Sequence, residues 1–357
     1  MKWLLVALTL LPGMITAEPL RIASFNTELS RDGPGQLLRD LQKGKDKQIA
    51  DVLAVIARTS PDILAMQGVD WDHDGLTLDA LARALADAGT PYPHRLALKP
   101  NSGIMTDLDL DGDGRLGGPG DAQGYGKFTG QNGMVILSRY PIDHGRVQDF
   151  SALLWKDLPG ARLPQRDGAP FPSQAAQDIQ RLSSAGHWVV SIKTPVGRIH
   201  LLTSQAGPPV FDGPEDRNGL RNRDENRFWS LFLDGTLGPA PPHGLVLLGG
   251  TNLDPWDSDG YGGVVQGLLD DPRLQDPAPT SDGAATAPDQ GHRSPNATDT
   301  VDWDGVGRLR VDYVLPSRDW TVQGSGVYWP AEGEAGNEIA LGASRHRLVW
   351  VDLIAKE

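Results

Sequence analysis

The feature that most constrains the fold is a short apolar segment, residues 245–248, that ends in two glycines. It has the sequence Leu-Val-Leu-Leu, and Asn252 and Asp254 follow the glycines. A continuous apolar run of this length, bounded by turn residues, predicts a strand that is buried on both faces. In open α/β sheets, functional polar groups lie just beyond the carboxyl ends of such strands. The segment therefore predicts a central strand with a functional site at its end.

Helical and strand patterns alternate over the first part of the chain. Residues 47–58 and 76–88 carry apolar side chains at helical spacing, and residues 62–67 between them form a short apolar run. Residues 222–233 predict a further helix. Additional strands are predicted at residues 20–26, 133–138, 187–193, 198–203, 310–315, 320–329 and 346–353. This alternation favours a layered α/β sandwich over an all-β fold.

No linker divides the chain, so residues 18–357 are predicted to form a single domain. Three stretches rich in Gly, Asp or Pro interrupt the pattern and are interpreted as insertions, at about residues 100–132, 151–184 and 255–305. Residues 1–17 place one lysine before an apolar run that ends in a small residue, which is typical of a secretory signal peptide. This pattern predicts a periplasmic or secreted protein with no membrane span. The alternative interpretation of residues 1–17 is a buried N-terminal helix.

The charge balance restricts the partners. The formal net charge is −13, and such an acidic surface repels polyanions unless a basic groove or metal ions intervene. Nucleic acid is therefore an unfavourable partner. The chain contains no cysteine, so neither a disulfide framework nor thiol chemistry is available.

Seven short motifs, in this order, follow or form the predicted strands. They are Ser24-Phe-Asn26, Leu64-Ala-Met-Gln67-Gly68, Gly133-Met-Val-Ile-Leu-Ser138, Thr203-Ser-Gln205, Leu248-Gly-Gly250-Thr-Asn252 and Arg310-Val-Asp312-Tyr, with Ser344-Arg345-His346 near the end. Their kind and order resemble the endonuclease/exonuclease/phosphatase superfamily over nearly the whole chain. The resemblance implies a four-layer α/β/β/α sandwich, in which two mixed, mainly antiparallel sheets pack face to face between outer helices.

The resemblance also implies a chemistry. Members of the family cleave phosphate esters with Mg²⁺. A Glu and neighbouring oxygens bind the metal, and the metal polarises the phosphoryl group. A His stabilises the charge on phosphate, and an Asp takes the proton of the attacking water. Four positions that match the family keep its residue: Asn26, Asn252, Asp312 and His346.

Four other family positions have changed. Gly68 stands where the metal-binding Glu is expected, Gln205 where a His is expected, and Gly250 where the Asp that acts as base is expected. In the last motif, Arg345 replaces an Asp, so the imidazole of His346 is expected to have a cation in place of its carboxylate partner. Gly68 offers no ligand to Mg²⁺, which needs hard oxygen donors, and Gly250 cannot act as a base.

These losses predict an exported pseudoenzyme or vestigial hydrolase. Several side chains of the predicted cleft are hydrogen-bond donors and none of these is acidic, namely Arg345, His346, Asn26, Asn252 and Gln205. We therefore expect the protein to bind an anionic small molecule or a protein partner. The alternative is an active, metal-dependent phosphoesterase whose acidic site has moved to Asp70 and Asp254, each two residues beyond a changed or retained family position. Mg²⁺ or Mn²⁺ is expected only under this alternative.

A separate motif lies in the first insertion. Asp109, Asp111 and Asp113, followed by Gly114, have the spacing that begins a calcium-binding loop. The bidentate Glu expected at the twelfth place is Gly120, with Asp121 next, and no helices are predicted on either side. The motif therefore predicts either an isolated Ca²⁺ loop or a solvated turn stabilised by its Asp and Gly residues.

Overall fold

The computed structural model describes residues 18–288 and 291–356, so the predicted signal peptide lies outside the described residues. The strands are β1 Leu20–Asn26, β2 Ile63–Val69, β3 His94–Leu96, β4 Gly133–Ser138, β5 Gln148–Asp149, β6 Gln165–Arg166, β7 Ala169–Pro170, β8 His187–Thr194, β9 Gly197–Gln205, β10 Leu245–Gly250, β11 Val301–Trp303, β12 Gly307–Leu309, β13 Asp312–Pro316, β14 Trp320–Val327 and β15 Val349–Ala355.

The helices lie mostly between strands. They are α1 Gln36–Lys43, α2 Lys47–Thr59, α3 Leu76–Asp87, α4 Gln174–Ile179, α5 Arg217–Leu233, α6 Gly263–Leu269, α7 Asp282–Ala285 and α8 Asn337–Ala343. Short 3-10 turns occur at Pro119–Asp121, His144–Arg146, Trp155–Asp157 and Asn296–Thr298. No helix in the described part of the chain combines the length and the apolarity needed to span a membrane.

Two large sheets form the centre of the fold. The first has the strand order β14-β15-β1-β2-β4-β3, and the second has the order β13-β10-β9-β8-β5. Each sheet contains one parallel pair, β1 with β2 and β10 with β9, and its other neighbouring strands are antiparallel. The prediction of two mixed, mainly antiparallel sheets is confirmed.

The apolar side chains form three main layers of core. Inner residues of both sheets, such as Ile22 and Val246, pack against each other between the sheets. On the outer face of the first sheet, Phe25 packs with residues of α1, α2 and α3. On the outer face of the second sheet, Leu247 packs with Phe228 of α5 and with α6. The predicted four-layer sandwich is thus confirmed, and β10 is buried on both faces.

The predicted insertions contain little regular structure. The first is mostly loop, the second holds the β6–β7 hairpin and α4, and the third holds α6, α7 and the β11–β12 hairpin. The third insertion lies close to the last motif, because Arg347 donates a backbone hydrogen bond to Thr300, and Asp302 donates one to Arg345.

Candidate functional site

The two parallel strand pairs place most of the motif residues at the carboxyl ends of their strands. In the second sheet, Gly250 pairs with Gln205 on one side and with Asp312 on the other. In the first sheet, Asn26 pairs with Gln67 at the ends of β1 and β2. Because neighbouring strands lie about 4.8 Å apart, Gln205 and Asp312 are about 10 Å apart across Gly250.

A buried hydrogen-bond chain links three of the retained residues. Nδ1 of His346 lies 2.7 Å from Oδ2 of Asp312, and its Nε2 lies 3.3 Å from Nδ2 of Asn26. The backbone N–H of Glu28 donates to Oδ1 of Asn26, which orients that amide so that its N–H₂ faces the imidazole. Thr300 also donates to Oδ2 of Asp312. The carboxylate partner of His346 is therefore Asp312, and the expectation that the ring had lost its partner to Arg345 was wrong.

Arg345 is paired with Glu28, a residue that the sequence analysis did not single out. The guanidinium donates from Nε to Oε1 at 2.9 Å and from Nη2 to Oε1 at 2.5 Å. The backbone N–H of Arg345 and the hydroxyl of Ser344 donate to Oε2. Burial opposes the charge on Glu28, but the hydrogen bonds from Arg345 and the proximity of His346 outweigh it, so the pKa of Glu28 is lowered.

The backbone around Gly68 explains why no side chain is found there. Gly68 has φ +75°, a left-handed conformation, and a Cβ at this position would lie 2.7 Å from the backbone nitrogen of Glu28 and 2.8 Å from Oδ1 of Asn26. Both distances are shorter than van der Waals contact, so any side chain at position 68 would require the segment around Glu28 to move. The position of the family's metal-binding Glu is therefore sterically filled.

Gly250 is obstructed by a side chain and not by backbone. A Cβ on Gly250 would lie 2.2 Å from Oε1 of Gln205, so the glutamine amide, the end of a flexible side chain, occupies the space of the missing Asp side chain. That Oε1 atom is buried and has no hydrogen-bond partner among the described residues, and Nε2 donates only a long bond, 3.4 Å, to Ala206. Neither residue supplies a general base.

A cavity of about 520 Å³ opens beside Gln205 and Asn252. Asn252, with φ +50°, donates from Nδ2 to the carbonyl of Ala206 at 2.7 Å. Arg217 also lines the cavity, and its Nη1 donates to Asn218 at 3.3 Å. Burial lowers the pKa of Arg217, although nearby acidic residues partly offset this.

Two aromatic side chains stand at the rim of this cavity. Phe211 is 89% exposed and Tyr125 is 71% exposed, so most of each ring is open to solvent. The cavity thus combines amide and guanidinium donors with exposed rings, and its volume is in the range of small-molecule sites.

The two residues of the alternative metal site are held by protein donors. Asp70 accepts hydrogen bonds from the Ser30 hydroxyl at 2.6 Å and from the backbone of Arg31 and Asn132. Asp254 is fully buried and accepts from the backbone of Trp256, Asp257 and Arg310. These contacts give both carboxylates a structural role, and the relocated metal site stays a prediction.

Three carboxylates come together in the Asp-rich loop. Within the described residues, one group of three or more acidic or histidine side chains has ligand atoms all within 4.8 Å of one another, namely Asp109, Asp111 and Asp121. Asp113 is not among them, and its carboxylate accepts from the backbone of Arg115. The structure therefore brings together two of the three predicted ligands and adds Asp121, whose oxygens accept from the backbone of Leu110 and Gly118.

These donors suit Ca²⁺, which takes six to eight oxygen ligands, including carboxylates. By contrast, the residues at the family's metal position do not fit Mg²⁺. Gly68 supplies no ligand, and the nearby Glu28 carboxylate is already saturated by Arg345 and Ser344.

Asp299, one residue before Thr300, is an unusual carboxylate near the hydrogen-bond chain. It is 1% exposed, and neither of its oxygens has a hydrogen-bond partner in the described part of the chain. Burial, followed by the charge of Asp254, raises the pKa of Asp299 to about 7. The carboxyl therefore titrates near neutral pH.

Comparison with known proteins agrees with this geometry. The model of the Endonuclease/Exonuclease/phosphatase family matches residues 23–346. A solved endonuclease/exonuclease/phosphatase from Beutenbergia cavernae DSM 12333 is 19% identical with a TM-score of 0.54, covering 95% of this chain and 72% of that one. A family protein from Leptotrichia buccalis C-1013-b is 16% identical with a TM-score of 0.52, covering 94% of this chain and 99% of that one.

One curated protein shares a local segment. Glycogen synthase 2 of Bradyrhizobium diazoefficiens is 35% identical over 86 residues, which make up 23% of this chain and 17% of the length of that protein. The match is too short to describe the fold. The family match spans nearly all of the folded chain and includes both ends of the hydrogen-bond chain around His346. The chain therefore belongs to the Endonuclease/Exonuclease/phosphatase family.

Proposed function

We propose that this protein is an exported member of the family that binds an anionic ligand and does not hydrolyse it. The observation that carries the proposal is steric. Both positions that would supply the metal-binding carboxylate and the base are glycine, and the space for their side chains is filled, at Gly68 by the Glu28 segment and at Gly250 by the Gln205 amide. Without a held metal and a base, the activation of water and the stabilisation of phosphoryl charge are both lost.

The remaining groups support binding. His346 stays oriented by Asp312 and Asn26 by the backbone of Glu28, and Arg345 precedes His346 in the chain. About two strand spacings away, the cavity beside Gln205 adds the guanidinium of Arg217, although the carboxylates of Asp111 and Glu225 also line that cavity. Charge-assisted hydrogen bonds from guanidinium and imidazole groups are the interactions that proteins use to hold phosphate, sulfate and carboxylate.

Hydrolysis and binding assays test the proposal together. Purified protein is incubated with bis-p-nitrophenyl phosphate and with p-nitrophenyl phosphate, in the presence of Mg²⁺, Mn²⁺ or Ca²⁺ in turn. We expect no turnover above a heat-inactivated sample, and we expect inorganic phosphate to bind in a calorimetric titration. Metal-dependent turnover that is lost in Asp70→Asn, with the variant still folded, would instead support the relocated acidic site.

The proposal of export rests on the sequence of residues 1–17. Expression of the full chain in a Gram-negative host, followed by fractionation and N-terminal sequencing, tests it. We expect a mature N-terminus near Glu18 in the periplasm or the medium. A full-length product retained in the cytoplasm would refute export while leaving the ligand proposal intact.

A further inference from the structure

The pairing of Glu28 with Arg345 suggests what replaces the metal. Glu28 lies two residues beyond Asn26, and its backbone nitrogen is one of the atoms that obstruct position 68. A side chain at position 68 and the backbone of Glu28 would therefore occupy the same space. Glu28 places a carboxylate just beyond the end of β1, and Arg345 provides its counter-charge.

The guanidinium is held by Glu28 and remains partly accessible. Its hydrogen bonds to Glu28 run from Nε and Nη2, and within the described residues no hydrogen bond from Nη1 is found. The Arg345 side chain is 66% exposed, with the charge of Asp304 also nearby. A planar fork with free N–H groups, already oriented by a carboxylate, loses little entropy when it binds an oxyanion.

The backbone of Glu28 is strained in a way that favours a functional role. Glu28 has φ +49°, a left-handed conformation that costs a residue with a side chain about 1 kcal/mol. The conformation is maintained by four donors to the carboxylate, from Ser344 and Arg345. A strained backbone conformation persists only where the surrounding contacts hold the residue in place, and such residues are often found at ligand sites.

We propose that Arg345, held by Glu28, is the resident cation of this site, and that the protein binds a tetrahedral oxyanion such as phosphate without any divalent metal. The proposal rests on the proposed function, since it specifies how the anion is held. A covalently attached guanidinium supplies the positive charge. His346 is its neighbour in the chain, and both ring nitrogens of that buried histidine are engaged by Asp312 and Asn26, so Arg345 is the principal anion contact.

Titration calorimetry with inorganic phosphate tests the proposal on the full mature chain. One buffer contains EDTA and the other contains Mg²⁺. We expect the two dissociation constants to agree within about twofold, because no metal takes part. Arg345→Ala is expected to weaken binding about tenfold or more in both buffers, and Arg345→Lys is expected to retain part of the affinity because it keeps the charge but not the fork.

Two further variants separate this role from a structural one. Glu28→Gln keeps the shape of the side chain and removes the charge that orients the guanidinium, so binding is expected to weaken several-fold while Arg345 is intact. Arg39→Ala, which removes an exposed arginine paired with Asp40 on α1, is the matched control and is expected to bind as wild type. Thermal melting verifies that each variant is folded.

The outcomes are distinguishable. Binding that requires Mg²⁺, or that is unchanged in folded Arg345→Ala, would overturn the proposed role of Arg345 but would leave an anion-binding protein. The absence of phosphate binding in both buffers would refute the inference and the anion-binding part of the proposed function together. Metal-dependent turnover would refute the non-hydrolytic part.

Discussion

The substitution Asp299→Asn is expected to stabilise the protein at pH 8 and to leave its stability nearly unchanged at pH 4. The pKa of this buried carboxyl is raised from 3.8 to about 7 in the folded state. A difference of about three pKa units corresponds to about 4 kcal/mol between the two protonation states. Relaxation and water penetration reduce the penalty on a buried charge, so we expect an effect of about 2 kcal/mol.

The sign follows from proton linkage. Between pH 4 and pH 7 the folded protein holds a proton on Asp299 that the unfolded chain has released, so the free energy of unfolding falls as the pH rises through this window. Above pH 7 the carboxyl is ionised in both states and its contribution is constant. Asparagine carries no charge at any of these values, so the variant lacks this loss of stability.

Urea denaturation followed by tryptophan fluorescence, at pH 4, 5, 6, 7 and 8 with EDTA present, measures the effect. The difference in unfolding free energy between Asp299→Asn and wild type is expected to grow from near zero at pH 4 to about 2 kcal/mol at pH 8. Asp304→Asn changes an exposed aspartate in the nearby β11–β12 turn and is the matched control. A difference between Asp299→Asn and wild type that does not vary with pH would refute the reasoning.

Three other predictions concern side chains around the site. Gly250→Asp is expected to lower the free energy of unfolding by about 2 kcal/mol because its Cβ meets the Gln205 amide, and Gln205→Ala in the same chain is expected to restore most of the loss in urea denaturation. Calorimetric titration with Ca²⁺ is expected to show binding heat in the wild type and in Asp113→Asn, and none in Asp111→Asn. An equal loss of binding heat in both variants would contradict the ligand set. Asp70→Ala is expected to cost about 2–3 kcal/mol in thermal or urea unfolding whether or not Mg²⁺ is present, and a cost that appears only with Mg²⁺ would indicate a metal ligand.

Much of the fold could be predicted from the sequence where burial on one or both faces leaves a strong pattern. The strands at Leu20–Asn26 and Gly133–Ser138 have the predicted bounds, and α2 and α3 agree to within one residue. By contrast, α8 was not predicted. It is seven residues long, contains Gly342 and begins after Gly336, so it has too few apolar positions to show a helical period.

Helix α5 shows a second limit of pattern analysis. It begins at Arg217, five residues before the predicted start, and buries a series of polar residues, among them Arg221 and Glu225. Arg221 donates to backbone carbonyls and Glu225 accepts from Ser184 and Gly207. Because these polar side chains occupy core positions, the apolar spacing underestimates the length of the helix.

The candidate site could be predicted only in part. The retained residues were found because each follows a strand, and the structure brings Asn26, Asp312 and His346 together. Glu28 could not be found in this way, since its partner Arg345 lies 317 positions later in the chain and a single partly buried glutamate in a loop carries no pattern. Contacts at that separation depend on the tertiary fold and leave no local signal.

The order of strands in the first sheet has a consequence for synthesis. β1 is among the earliest folded segments to leave the ribosome, yet one of its edges pairs with β15, at the far end of the chain. Until β15 has been made, that edge of the nascent strand has unpaired backbone groups, which can pair with other chains. His346, which completes the hydrogen-bond chain with Asn26, precedes β15 by only a few residues. A ribosome-bound intermediate therefore lacks both the closed sheet and the site until this segment has been made.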